Sequence, residues 1–202
     1  MSRRTTWYII AAVAVVLAGW WLWAWAHRPT YPEINSPRPV KGSATATIKL
    51  EEFSDFQCPA CKAAQPLLKE VLATFGDRVS LTFKHFPLVS VHTQAFRAAL
   101  ASECANDQGK FWEYHDALFD NQPNFSRADL ITYAQQLQLR IDGDDGFAAC
   151  LDARAKTKVV RQDMSEGDKR GIDSTPTFFL NGQRLQDWSK LKELIQAKLA
   201  GG

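Results

Sequence analysis

The chain has 202 residues, with 24 Lys and Arg against 22 Asp and Glu, which gives a formal net charge of +2. Arg3 and Arg4 account for this excess, so residues 27–202 are formally neutral, which argues against nucleic acid as a partner. The length suits one domain with an insertion or two small domains, and a single hydrophobic core is the simpler expectation.

The first element is an uncharged stretch of 20 residues, 7–26, that follows Arg3 and Arg4. Its length predicts one membrane-spanning helix, and the two arginines place residues 1–6 in the cytoplasm with the rest exported. The alternative is a cleaved signal peptide, because Ala24-Trp25-Ala26 has the form of a cleavage site. Aromatic side chains lie at both ends, as in helices anchored at two membrane interfaces: Trp7, Tyr8, Trp20, Trp21, Trp23 and Trp25. We expect a single-pass inner-membrane anchor with the catalytic domain in the periplasm, or a cleaved, soluble periplasmic domain.

A proline-rich stretch follows, in which four prolines and a glycine lie within residues 27–43. Such sequences are extended and semi-rigid, so this stretch is interpreted as a linker that holds a domain away from the membrane. Residues 47–53 then mix β-branched and apolar side chains over the length of a strand. An apolar stripe at helical spacing comes next, and Gly76 ends it: Leu68, Val71, Leu72 and Phe75.

The two cysteines of Cys58-Pro59-Ala60-Cys61 lie between this strand and this helix. Pro59 fits the first helical turn, so Cys58 is expected at the helix N-terminus, where free N–H groups and the helix dipole stabilise a thiolate. In such positions the pKa of a cysteine falls from about 8.5 to roughly 3.5–7.5. Cys61, one turn later, is close enough to form a disulfide with Cys58 and should be less exposed. The motif therefore predicts redox chemistry.

The alternative interpretation of this spacing is half of a zinc site, which needs a second pair of ligands. Cys104 and Cys150 are isolated from each other in the sequence, and the four histidines show no pairing at metal-ligand spacing: His27, His85, His92 and His115. We therefore predict no bound metal. His115 lies on an apolar helix face and is expected to be packed in the core.

The rest of the chain predicts further strands and helices. Residues 79–84 alternate apolar and polar side chains as a second strand does, and strand–helix–strand implies a parallel crossover. Residues 91–170 are helical in pattern, with Ser126 as an N-cap. A strand over 177–180, the hairpin turn Asn181-Gly182 and a helix over about 189–199 follow. The order is β-α-β, a helical block, then β-β-α.

This order and the cysteine turn resemble the thioredoxin superfamily, and within it the DsbA-like thiol-disulfide oxidoreductases. The likeness covers residues 44–200 and implies an α/β thioredoxin fold with a helical domain inserted at about 91–170, preceded here by the transmembrane helix. Pro66, five residues after the second cysteine, also matches the superfamily, where it kinks the active-site helix.

The resemblance implies further site residues. Thr175-Pro176 precedes the strand at 177–180, where the superfamily has a cis-proline beside the cysteines. Glu52 lies six residues before Cys58, where the family has a buried acidic residue that manages the proton of the second cysteine, and Lys84 matches a lysine that pairs with it. Glu51 is the alternative acidic residue, because alternation turns only one of the two inward.

The resemblance also implies a structural disulfide between Cys104 and Cys150, since many members carry cysteines at both places; the alternative is two buried thiols. Four cysteines suit an exported protein in an oxidising compartment.

The implied activity is introduction of disulfides into exported proteins by the Cys58/Cys61 pair, without a cofactor. A membrane oxidase linked to quinone would reoxidise the pair, and the protein is expected to be a monomer. Ala60 departs from the histidine of strongly oxidising members, so a disulfide reductase or isomerase is the first alternative. The second is a non-catalytic metal carrier or chaperone.

Overall fold

A computed structural model of the chain describes residues 3–26, 38–43 and 45–201. The chain divides into two compact units, residues 1–35 and 36–202. In the first unit, helix α1 spans Arg3–Ala26, and its aromatic side chains at Trp7, Tyr8 and Trp20 are exposed. Within the described residues, no helix reaches the length and apolarity needed to cross a membrane. The predicted membrane span over residues 7–26 is not supported by this finding.

The second unit is built on one sheet, formed in the described residues by five strands in the order β1-β3-β2-β4-β5. The strands are β1 (Val40–Gly42), β2 (Ile48–Ser54), β3 (Val79–His85), β4 (Thr177–Leu180) and β5 (Gln183–Arg184). Strand β2 pairs parallel with β3 and antiparallel with β4, and β1 and β5 pair antiparallel at the two edges. The predicted α/β thioredoxin fold is confirmed.

Helix α2 (Pro59–Phe75) makes the crossover between the parallel strands β2 and β3. Its buried stripe packs on one face of the sheet together with the last helix, in a cluster that includes Leu50, Leu68 and Ile195. Pro59 occupies the first helical turn, and the chain leaves the helix at Gly76 with a φ of 54°, which glycine adopts at little cost. The opposite face of the sheet is covered by a small aromatic cluster around Phe53 and Phe179.

Five helices form the insertion between β3 and β4: α3 (Ala95–Asn106), α4 (Phe111–Asp120), α5 (Arg127–Gln136), α6 (Phe147–Asp152) and α7 (Thr157–Lys169). The predicted N-cap Ser126 forms a capping box with Asp129 at the start of α5. Cys104 of α3 and Cys150 of α6 form the disulfide that the family resemblance implies. His115 is buried among the aromatic side chains of this region, as its apolar helix face predicts.

The chain closes with a hairpin and a helix. Asn181 and Gly182 both have positive φ angles, 49° and 80°, which is the turn that the Asn-Gly pair predicts between β4 and β5. A single 3₁₀ turn over Trp188–Lys190 then leads into α8 (Leu191–Ala200). The predicted helix is therefore present but begins two residues later than its sequence pattern indicates.

One strand differs from the sequence prediction. The proline-rich pattern predicts that residues 40–42 belong to the linker, but they form β1, which pairs with residues 80–82 of β3. A three-residue edge strand directly after Pro39 has no alternating pattern to reveal it, and prolines are tolerated at such edges. Residues 27–37 of the predicted linker lie outside the described residues, as does residue 44 at the start of the predicted domain.

Candidate active site

The turn between β2 and α2 places both cysteines at the end of the sheet. Cys58 is the N-cap of α2, with Pro59 in the first helical position and the Cys58 N–H donating to the carbonyl of Asp55 at 3.0 Å. Both thiols are free, and Cys58 is 7% exposed while Cys61 is fully buried. This difference gives an incoming thiol access to Cys58 before Cys61.

The two thiols differ in acidity. The Cys61 thiol foremost, then the Thr175 side chain and the N–H groups of Cys61 and Ala60, lower the pKa of Cys58 to about 5 against the opposing effect of burial. Burial, followed by the neighbouring Cys58 sulfur and the Glu52 carboxylate, raises the pKa of Cys61. At neutral pH the pair therefore holds one negative charge, and Cys58 carries it.

The loop before β4 forms the second wall of the site. The Thr175–Pro176 peptide bond is cis, as the family resemblance implies, and the Cys58 thiol donates to the Thr175 carbonyl at 3.4 Å. The Thr175 hydroxyl is buried and makes no hydrogen bond with a described residue while the Cys58 thiol donates to the carbonyl. When Cys58 loses its proton, the carbonyl is no longer a useful partner, and the hydroxyl is the group of Thr175 that can donate to the thiolate.

A groove of about 310 Å³ runs beside this loop. Ala60 borders it on the cysteine side and Pro176 on the loop side, and Trp188 and Arg184 form its outer edge. The groove follows the start of β4, so an extended chain lying in it could form backbone hydrogen bonds with this segment. The groove is where a substrate segment would lie next to Cys58.

Glu52 lies beneath the cysteines and is fully buried, on the same face of the sheet as Leu50. Burial raises the pKa of Glu52 to about 7. Gln65 of α2 donates to Glu52 Oε1 at 3.2 Å and to the carbonyl of Cys61 at 3.1 Å, so one amide connects the carboxyl to the second cysteine. The second oxygen of Glu52 has no hydrogen-bond partner in the described residues. A carboxyl with this pKa can exchange protons near neutral pH.

The predicted pairing of Lys84 with Glu52 is wrong. Lys84 Nζ lies 3.2 Å from Glu51 and 2.5 Å from Glu166, on the other face of the sheet. The parallel register explains this: Glu52 pairs with Phe83, so Lys84, the next residue, must point to the opposite face, as does Glu51. Glu51 is thus part of a partly buried ion network on that face, and Glu52 is the acidic residue beneath the cysteines.

Sequence reasoning missed the side chains that hold the cysteine turn against the helical insertion. The buried carboxylate of Asp55 accepts from the N–H groups of Gln57 and Leu88 and lies 2.7 Å from His92 Nδ1. Gln122 donates to the carbonyls of Phe56 at 2.6 Å and Cys58 at 3.1 Å.

A third glutamine continues this network. Gln94 donates its N–H to Gln57 at 2.9 Å, and its side chain accepts from Phe125 at 3.1 Å. These partners are 31 to 66 residues apart along the chain, so no local pattern reveals them. Only Gln65 carried a readable signal, because it lies four residues after Cys61 on the same helix face.

Comparisons with known proteins agree with the thioredoxin fold described above. A thioredoxin family model matches residues 35–197. The structure of BdbD from Bacillus subtilis (oxidised) is 27% identical, with a TM-score of 0.68 over 81% of this chain and 93% of that one. A thioredoxin-like oxidoreductase from Silicibacter pomeroyi is 22% identical, with a TM-score of 0.69 over 81% of this chain and 92% of that one, a likeness of fold.

The curated relatives carry a different kind of name. The Na(+)/H(+) antiporter NhaA 3 of Salinispora tropica is 39% identical over 145 residues, which is 72% of this chain but 22% of that protein. The Na(+)/H(+) antiporter NhaA 1 of Mycolicibacterium vanbaalenii is 33% identical over 96% of this chain and 33% of its own length. The chain thus spans between about a fifth and a third of the length of these curated relatives.

Proposed function

The chain belongs to the thioredoxin family, and on that premise we propose that it is a thiol-disulfide oxidoreductase whose redox couple is Cys58 and Cys61. The observation that carries the proposal is that the pKa values of two neighbouring thiols are shifted in opposite directions. The pKa of Cys58 is lowered to about 5, while that of Cys61 is raised. A difference of this kind makes one sulfur the entry point for exchange and the other the resolving thiol. The protein from Silicibacter pomeroyi that shares the fold is named a thioredoxin-like oxidoreductase.

Thiol-disulfide exchange at this site proceeds in two displacements. With Cys58 and Cys61 joined, a substrate thiolate attacks the Cys58 sulfur, and Cys61 leaves with the electron pair and takes up a proton. The second substrate thiolate then attacks the substrate sulfur of the mixed disulfide, and Cys58 leaves as a thiolate. The substrate loses two electrons, and the cysteine pair gains them and ends in the free form that the structure holds. Glu52, with a pKa of about 7, is positioned beneath Cys61 to supply or accept the proton.

The direction we propose is disulfide donation. A thiolate of low pKa is a good leaving group, and its stability favours the reduced enzyme, which is the product of donation. Each 30 mV of reduction potential corresponds to about 1.4 kcal/mol for this two-electron couple, so donors at the Cys58 sulfur influence direction directly. A potential near or below about −270 mV, the value of thioredoxin, would overturn this direction in favour of a reductase.

We also propose that exported proteins are the substrates and that a membrane oxidase linked to quinone restores the disulfide. The supporting observations are the uncharged stretch over residues 7–26 behind Arg3 and Arg4, and the disulfide between Cys104 and Cys150, which suits an oxidising compartment. Attachment through residues 7–26 and a periplasmic location are part of this proposal. Fractionation of cells that express the full chain tests them, and a chain found only in the cytoplasmic fraction would overturn both.

The activity is tested by oxidative refolding of a reduced, disulfide-containing protein in a glutathione buffer. Wild-type protein should accelerate the appearance of native disulfides, and Cys58→Ser should abolish the acceleration. Arg161→Ala, an exposed substitution on α7 away from the site, serves as the folded control and should match the wild type. If Cys58→Ser refolds the substrate as well as wild type does, the oxidoreductase proposal fails and a metal carrier or chaperone becomes the better account.

A further inference from the structure

A second cavity lies in the helical insertion, outside the cysteine site, and encloses about 290 Å³. Three arginines line it: Arg97 from α3, Arg127 from the first turn of α5, and Arg154 just after α6. The only carboxylate among the described lining residues is Asp152, which Arg127 binds through two nitrogens at 2.6 Å each. One ion pair therefore leaves two positive charges at the cavity.

The two remaining guanidinium groups are not neutralised by carboxylates within the described part of the chain. Arg154 lies over the ring of Phe96 at 5.4 Å, and neither Arg154 nor Arg97 has an ion pair there. Helix α3 also begins at this cavity, and the side chain of its N-cap residue, Gln94, makes no capping hydrogen bond. Free N–H groups and the positive end of a helix dipole add to the attraction for an anion.

The floor of the cavity is apolar and is formed by Phe96, Leu100 and Leu151. A small inorganic anion would leave these side chains without a contact. A ligand that joins a carboxylate to an adjacent apolar side chain would use the whole lining, because the arginines bind the carboxylate and the floor covers the apolar group. An acidic polypeptide segment has this composition.

The cavity is joined to the cysteine turn by short connections. Thr93, at its edge, lies between His92 and Gln94, and these two residues bind Asp55 and Gln57 in the turn that leads to Cys58. The edge of the cavity is thus linked through His92 and Gln94 to the loop that carries the reactive sulfur.

We propose that this arginine cavity, defined by Arg97, Arg127 and Arg154, is a docking site for an acidic and apolar segment of the polypeptides with which the cysteine pair exchanges. The proposal rests on the proposed function for its substrate class, while binding at the cavity is independent of the redox step. The two sites then differ in selectivity. Cys58 reacts with any accessible cysteine, whereas the cavity selects chains that have acidic residues near that cysteine.

The test uses two-cysteine peptides that are identical except for flanking Glu-Phe-Glu, Gln-Phe-Gln or Lys-Phe-Lys. Wild-type protein should oxidise the Glu peptide with a kcat/KM up to about fivefold above that of the Gln peptide, the upper end of the gain from one exposed ion pair. The preference should disappear in Arg97→Ala, reverse toward the Lys peptide in Arg97→Glu, persist in Arg161→Ala, and decline in high salt. Equal kcat/KM values for the three peptides, or a preference that Arg97→Ala leaves unchanged, would overturn the proposal.

Binding to the doubly substituted Cys58→Ser, Cys61→Ser protein separates this proposal from the proposed function. Suppose that wild-type protein oxidises no peptide, but the double serine variant binds the Glu peptide more tightly than the Gln peptide and loses that advantage when Arg97→Ala is added. The docking site then stands and the oxidoreductase activity fails. If inorganic phosphate alone binds the cavity and the Glu peptide does not compete with it, the ligand is a free anion and the polypeptide proposal is overturned.

Discussion

Replacing Glu52 by glutamine should make the reduced protein more stable at alkaline pH, although it removes a charged group. Glu52 is fully buried, and no basic side chain in the described part of the chain pairs with its carboxylate to compensate for the loss of water. The amide in Glu52→Gln keeps an oxygen for the hydrogen bond from Gln65 and removes the charge. We therefore expect the substitution to eliminate a penalty rather than a favourable interaction.

The magnitude follows from the pKa of Glu52, which burial raises from 4.5 to about 7. Between these values the unfolded chain releases its proton while the folded protein retains it, so stability falls as pH rises through this window. Each pKa unit corresponds to 1.36 kcal/mol, so the loss is about 3 kcal/mol by pH 8. Urea denaturation of wild type and Glu52→Gln should give similar free energies of unfolding near pH 4, with the variant more stable by about 3 kcal/mol at pH 8.

Glu51→Gln is the matched control, because the pKa of Glu51 is shifted in the opposite direction from that of Glu52. The ion pairs of Glu51 with Arg170 and Lys84 outweigh its partial burial and lower its pKa. This carboxylate therefore contributes stability above the unfolded pKa of 4.5, and that contribution is lost as pH falls through the lower folded value. Glu51→Gln should be less stable than wild type at pH 8 and converge with it in acid. If both variants show the same pH dependence as wild type, the assignment of Glu52 as the inward acidic residue is refuted.

Three further outcomes follow from the site and the insertion. The ultraviolet absorbance of the reduced protein should show one thiolate forming with an apparent pKa of about 5, and a midpoint near 8.5 would contradict the stabilisation of Cys58. Thr175→Val removes the hydroxyl donor and should raise that midpoint by about one unit, whereas Thr132→Val, whose hydroxyl binds within α5, should leave it in place. Replacing Cys104 and Cys150 together by alanine opens a loop of 46 residues and should cost about 4 kcal/mol in urea denaturation, with thiolate formation at Cys58 retained; an unchanged midpoint of unfolding would show that the disulfide does not stabilise the fold.

The parts of the fold that could be predicted are those that follow from local chemistry. The position of Cys58 follows from the strand before it and from Pro59 after it, since proline suits the first helical turn. The hairpin at Asn181-Gly182 follows from the need for two positive φ angles. In both cases a few adjacent residues determine the backbone.

The pairing of Lys84 shows where such reasoning fails. The alternation over residues 79–84 already turns Lys84 away from Phe83, but the partner of a side chain on a strand depends on the register with the next strand. The register that pairs Glu52 with Phe83 cannot be obtained from either strand alone. The same limitation hides the contacts of Gln122 and Gln94 with the cysteine turn, because these contacts form only when the insertion packs.

The measurement that tests the central claim most directly is capture of the mixed disulfide. Cys61→Ser protein, incubated with a peptide disulfide, should retain the peptide on Cys58, because the thiolate of Cys58 attacks and no second thiol releases it. Mass spectrometry of the digested adduct should locate the peptide on Cys58, and Cys58→Ser should yield no adduct. Adduct on Cys61 in the Cys58→Ser protein, or no adduct on Cys58 in the Cys61→Ser protein, would contradict the assignment of Cys58 as the exchanging thiol.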